Sequence, residues 1–164
     1  MFSREIETLA ALLLEEARER SLRIVTAESC TGGLVAAALV GVPGSSDVFE
    51  RGFVTYSNRA KCEVLDVPGD LIADQGAVSE PVVRMMAEGA LANSSSHISV
   101  AVTGVAGPGG GTPLKPVGLV HFATARANGS IRHRVEHFQE MDRTEVRLAS
   151  VQTALEMLRE RLVS

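Results

Sequence analysis

The chain has 164 residues, 45% of them hydrophobic and 22% charged, with a formal net charge of −4. That length and composition describe one globular domain, and neither an apolar run long enough for a membrane nor a charged-then-apolar leader pattern is present. The acidic balance argues against nucleic acid or an anionic membrane as the main partner, and two cysteines, Cys30 and Cys62, fit reduced thiols in a cytoplasmic protein, with no metal-ligand spacing around them.

Apolar residues at Ile6, Leu9, Ala10, Leu13 and Ala17 mark one face of a helix over 3–20. Leu22–Ala27 reads as a buried strand and Thr31–Val40 as an alanine-rich helix. A Gly/Pro/Ser loop follows, then a strand over Phe49–Tyr56 and a short helix over Asn58–Leu65. Val67-Pro68-Gly69 breaks the chain, and Asp70–Gln75 fits a further helical turn. Ser79 and Pro81 open a helix to about Ala92. Ile98–Thr103 is the third strand, and a glycine-rich loop runs from Gly104 to Pro116. Val117–Ala125 and Ile131–Phe138 form a hairpin across Asn128-Gly129. Asp142 starts the last helix with Glu145 as its capping-box partner, and its apolar stripe is Leu148, Val151, Leu155, Leu158 and Leu162. This order predicts a single α/β domain over 1–164, a three-layer α/β/α arrangement with a mixed sheet of about five strands.

Three stretches carry chemistry. In Thr26-Ala27-Glu28-Ser29-Cys30-Thr31-Gly32-Gly33 a strand turns into a helix. Gly32 and Gly33 allow another group close to the backbone, and Ser29, Cys30 and Thr31 are expected at the helix N-terminus, where free N–H groups favour an anion. A nucleophile with its oxyanion or a bound phosphate fits; a simple N-cap is the alternative. At the second junction, Tyr56-Ser57-Asn58-Arg59-Ala60-Lys61, the lysine opposes the helix dipole. Acting as a base needs a pKa lowered by roughly 3 units, about 4 kcal/mol. A helix terminus gives about 1 kcal/mol or less, so burial must supply the rest; a solvated surface lysine is the alternative. Ser29 and Lys61 can meet only if two neighbouring strand ends bring them together.

The third stretch, Thr103 to Thr112, matches neither the dinucleotide fingerprint nor a phosphate loop of the Gly-Lys-Ser/Thr kind. Its backbone at Thr103, Gly104 and Gly107 is nonetheless suited to wrapping a small anionic ligand, against the alternative of a hairpin tip. Arg143 and Arg147, at i and i+4 on the last helix, suit a phosphate clamp or a solvated face shared with Glu145. A rival arrangement uses Cys30 as a thiolate nucleophile with a histidine such as His121 as base.

Taken together, the Thr26–Gly33 block, Arg51-Gly52-Phe53-Val54-Thr55-Tyr56-Ser57-Asn58 with Lys61, Gly76-Ala77-Val78-Ser79, Thr103-Gly104-Val105-Ala106-Gly107-Pro108 and Lys115-Pro116-Val117-Gly118 resemble the C-terminal domain of the CinA (competence/damage-inducible) family. The resemblance implies a nicotinamide-nucleotide amidohydrolase with Ser29 as nucleophile and Tyr56 and Lys61 as its partners. It further implies a homodimer. On the residue readings above, the small-molecule nucleotide substrate is expected to be held by Cys30, Thr31, Gly32, Gly33, Thr103, Gly104, Gly107, Arg143 and Arg147, and hydrolysis by these residues requires no metal or organic cofactor. A non-catalytic nucleotide-binding module is the reading from a different class. Many family members carry a separate domain resembling molybdopterin-binding proteins; no such block occurs in this sequence, and that domain's activities are not carried over.

Overall fold

The strand β1 (Ile24–Glu28) is buried at every residue, and the sheet is built outward from it. In the computed structural model, which describes residues 1–164, β1 pairs in parallel with β2 (Phe49–Val54) on one side and with β3 (Ile98–Gly104) on the other. β3 continues antiparallel to β4 (Leu119–Arg126), and β4 to β5 (Ile131–His137), giving the order β2-β1-β3-β4-β5. Side chains alternate across this mixed sheet. Ile24, Val100, Val102 and Phe122 face a core shared with α1 (Arg4–Glu19), α2 (Leu34–Val40) and α6 (Arg143–Arg161). Val25, Ala27, Ala101 and Ala123 face the other core, with α3 (Asn58–Leu65), α4 (Gly69–Gln75) and α5 (Glu80–Ala92). The three layers are those the element order predicts. No helix is long and apolar enough to cross a membrane.

Several boundaries move for local reasons. The second helix starts at Leu34, not Thr31, because Gly32 (φ 57°) and Gly33 (φ 99°) are left-handed and end the turn that follows β1. The strand expected from Val117 starts at Leu119, since Gly118 (φ 93°) is also left-handed and packs against the Phe138 carbonyl. β2 stops at Val54, so Tyr56 lies just beyond the sheet. The α6 stripe begins at buried Val146, with Leu148 only half-buried; the Asp142–Glu145 capping box forms as expected.

The layer carrying α3 sits tightly on α5. Gly89 of α5 lies against the Leu65 carbonyl at the end of α3, where a Cβ would collide with backbone. Gly89→Ala tests how rigid this contact is. Helix propensity alone favours alanine by about 1 kcal/mol. Overpacking against a fixed carbonyl costs about 1–3 kcal/mol and should win. The expected result is a lower urea midpoint at unchanged m-value; a variant as stable as the parent would show that α3 can slide on α5.

Candidate active site

Three parallel strand ends, at Glu28, Val54 and Gly104, open on the same edge of the sheet. Chains leave β1 and β2 toward opposite layers, into α2 and α3, which leaves a crevice at their carboxyl ends. Ser29 follows β1 directly. Its N–H donates to the Val102 carbonyl at 3.0 Å, and the preceding Glu28 carbonyl accepts the Thr55 N–H at 2.9 Å. Beyond Thr55 the Ser57 hydroxyl caps α3 by accepting from the Ala60 N–H at 3.0 Å. Lys61 closes the first turn of that helix, and helical side chains lean toward the N-terminus. Its amine therefore reaches back to donate to the Thr55 carbonyl at 2.9 Å and to Ser29 Oγ at 2.9 Å. Ser29, Glu28, Thr55 and Lys61 thus form a closed hydrogen-bonded circuit.

Lys61 is 1% exposed and forms no ion pair. Burial pushes its pKa below the ordinary lysine range, against a weaker opposing pull from Cys30 and Cys62. The surface-lysine alternative is excluded. The amine and Ser29 line an open cavity of about 290 Å³, whose polar side chains also include Tyr56, Asn58, Thr103 and Arg143. A larger groove of about 400 Å³ between α1 and α6 holds paired surface charges such as Glu16 and Arg159, and no nucleophile.

The helix N-terminus behind Ser29 is already occupied. Glu28 points to the opposite face of the sheet, fully buried. Its carboxylate accepts from the Thr31 hydroxyl at 2.7 Å, the Val35 N–H at 2.8 Å and the Ala36 N–H at 3.1 Å. An internal carboxylate takes the place expected for an oxyanion or phosphate, and neither Ser29 nor Thr31 caps the helix. Unpaired donors belong instead to the loop across the cavity: Ala106, Gly107, Gly109 and Gly110 line it, and their N–H groups bond to no protein acceptor. Thr103 and Gly104 line it as well, the Thr103 hydroxyl donating to the Ala77 carbonyl at 3.1 Å.

The two arginines have different surroundings. Arg143 reaches the cavity, donating to the Gly107 carbonyl at 2.7 Å and to the Tyr56 hydroxyl at 2.8 Å. Tyr56 is therefore engaged by Arg143 and forms no hydrogen bond with Ser29 or Lys61. Arg147 does not line the cavity. It donates to the Cys30 carbonyl at 3.0 Å and the Thr31 carbonyl at 3.1 Å, and a Cβ on Gly32 would lie 3.2 Å from its Nη2. The group that Gly32 admits is this guanidinium, while Gly33 faces the Val54 side chain, so Gly32, Gly33, Thr31 and Arg147 belong to the turn itself. Asn58, the first residue of α3, lines the cavity, and Ser57 caps that helix.

The thiol arrangement does not form. Cys30 packs into the α1/α2/α6 core, and burial pushes its thiol up to about 12. His121 lies on the other face of the sheet, since its neighbours Val120 and Phe122 belong to the Cys30 core. Its Nδ1 is 2.8 Å from His133 Nε2, and burial, with the neighbouring His133, pushes its pKa down to about 4. A thiol reagent at pH 8 should accordingly react readily with half-buried Cys62 and reach Cys30 only after denaturation, and Cys30→Ala should keep most of any activity. Rapid modification of Cys30 in native protein, located by peptide mass analysis, would reverse that assignment.

The CinA C-terminal domain model matches residues 6–162. A CinA-like protein of Akkermansia muciniphila is 52% identical over 137 residues, covering 84% of this chain and 33% of that protein, so the chain spans about a third of the length of this curated relative. Among solved structures, the competence/damage inducible protein CihA from Agrobacterium tumefaciens superposes with a TM-score of 0.97 at 49% identity, covering 100% of this chain and 99% of that one. A CinA superfamily protein from Klebsiella pneumoniae follows with a TM-score of 0.91 at 35% identity, covering 96% and 98% of the two chains.

Proposed function

The chain belongs to the CinA C-terminal domain family, and from that premise we propose that it hydrolyses the carboxamide of nicotinamide mononucleotide to nicotinate mononucleotide and ammonia. The observation that carries this reading is the 2.9 Å contact between Ser29 Oγ and a buried lysine amine with no counter-ion. A neutral amine at that distance can accept the serine proton while the Thr55 carbonyl holds one of its own N–H bonds. Ser29 Oγ then bonds to the carboxamide carbon. The free N–H groups of the glycine loop suit the resulting oxyanion, an interaction commonly worth about 3–4 kcal/mol. Collapse breaks the C–N bond, and Lys61 returns its proton to the departing ammonia. Water, deprotonated by the same amine, releases the acid and restores Ser29. The direct lysine–serine contact leaves no need for Tyr56 to bridge them. In this reading Tyr56 works beside Arg143, which is placed to meet the substrate phosphate. A homodimer, on the family resemblance, and a cytoplasmic location, on the cysteine usage, complete the reading.

Ammonia release from nicotinamide mononucleotide is the direct test, and Ser29→Ala should abolish it in a folded protein. Turnover by Ser29→Ala near the parent rate would remove the nucleophile assignment.

Lys61 couples activity to stability through pH. Its folded pKa lies below the unfolded value, so the unfolded chain binds more protons between the two, and stability rises with pH across that window. The rate should climb over the lower part of the same window, as the amine loses its proton. Lys61→Met should lose about 10²- to 10⁴-fold in kcat, yet melt at a higher temperature at neutral pH. A loss of both, or a flat pH–rate profile, would count against a neutral-amine base.

Arg143→Ala should weaken binding of the nucleotide by roughly ten- to a hundredfold, the value of a lost charge-assisted hydrogen bond of about 1.5–3 kcal/mol. Binding of the riboside, which lacks the phosphate, should hardly change. Equal losses on both ligands would assign Arg143 to holding the glycine loop.

A further inference from the structure

The turn that presents Ser29 contains two left-handed glycines, Gly32 and Gly33, and has little stiffness of its own. Two side chains, neither of them in the cavity, hold it from behind. Glu28 gathers the Thr31 hydroxyl and the first amides of α2, so the turn is tied to the helix that follows. Arg147, reaching from α6, grips the carbonyls of Cys30 and Thr31 with two separate N–H groups. Both demand their own chemistry. Three donors converge on Glu28, which an acceptor-only carboxylate satisfies and a carboxamide does not, because its NH2 would face an N–H. Two carbonyls accept from Arg147, which a fork of N–H donors satisfies better than a single ammonium.

We infer that Glu28 and Arg147 are positioning residues that together hold Ser29 Oγ against the Lys61 amine. The inference rests on reading Ser29 as the nucleophile. It assigns Arg147 to the turn and away from substrate phosphate. A nucleophile displaced by about 1 Å can lose about 10²-fold in rate, so the two residues act on turnover without touching substrate.

Labelling of Ser29 by a small fluorophosphonate tests this without assuming a natural substrate. In that reaction the Oγ–P bond forms, the P–F bond breaks, fluoride leaves and the serine proton passes to Lys61. Parent, Glu28→Gln, Arg147→Lys and Thr31→Val proteins are compared, with circular dichroism to confirm folding. The second-order labelling rate should fall about 10- to 100-fold for Glu28→Gln and Arg147→Lys, and less for Thr31→Val, which removes one of three donors. The pH midpoint of labelling should stay close to the parent's, because burial lowers the Lys61 pKa and neither Glu28 nor Arg147 contributes to it. With the carboxamide substrates, kcat should fall equally on nucleotide and riboside while KM holds within about threefold.

Folded Glu28→Gln and Arg147→Lys proteins that label within twofold of the parent would overturn the inference and leave the nucleophile standing. If Glu28→Gln fails to fold, Arg147→Lys and Thr31→Val decide by the same criterion. A loss confined to the nucleotide for Arg147→Lys would overturn its share and return it to phosphate binding. A parent protein that does not label at Ser29 removes the nucleophile and the inference with it. Labelling without ammonia release from nicotinamide mononucleotide removes only the substrate.

Discussion

Lys61 is enclosed by protein, and no carboxylate faces it. Most buried cations are neutralised by an ion pair, which fixes them in the charged form. Here only a serine hydroxyl and a peptide carbonyl meet the amine, so the least costly adjustment is to give up the proton. Everything around the site serves that condition. The Lys61 side chain is buried, Gly89 lets α5 close on the end of α3, and the strand ends hold Ser29 and Thr55 at hydrogen-bonding distance.

Strand alternation keeps the arrangement from cancelling itself. Glu28 is next to Ser29 in sequence but points through the sheet to the α2 side. A one-residue slip of β1 would exchange the two faces and bring the carboxylate to the lysine. An ion pair would then hold Lys61 charged, and the first amides of α2 would lose their acceptor. The same peptide unit thus separates a carboxylate that gathers helix amides from an amine that meets no carboxylate. The pairing of β1 with parallel neighbours on both sides, unbroken against β3 and irregular against β2 only between Ile24 and Val25, makes such a slip costly.

Much of the architecture can be read from residue patterns. The 3.6-residue stripes of α1 and α6, the Ser79–Pro81 start of α5 and the Asp142–Glu145 capping box all act locally, and local rules find them. The Ser29–Lys61 pairing is also anticipated, as two polar residues at successive strand-to-helix junctions. What escapes is set by tertiary contact. Nothing in the sequence distinguishes Arg143 from Arg147, one helical turn apart, until α6 is docked and one faces the cavity while the other faces the back of the turn. Tyr56 resembles a proton relay until its hydroxyl is seen to engage Arg143. Glu28 is conspicuous in the sequence, yet its role depends on two glycines shifting the start of α2 by a turn. That shift places helix amides, and not Ser29, at the carboxylate.

The grip of Arg147 on the Cys30 and Thr31 carbonyls spans more than a hundred residues of chain. During synthesis β1 and the Ser29 turn emerge well before α6, the helix that grips the turn. Loop closure over such a separation comes late in the assembly of a sheet of this kind. A chain not yet extended through α6 therefore exposes the Ser29 turn without its rear support, and the turn is gripped only once that helix docks. Order beside the first strand thus reports on the docking of a helix more than a hundred residues away.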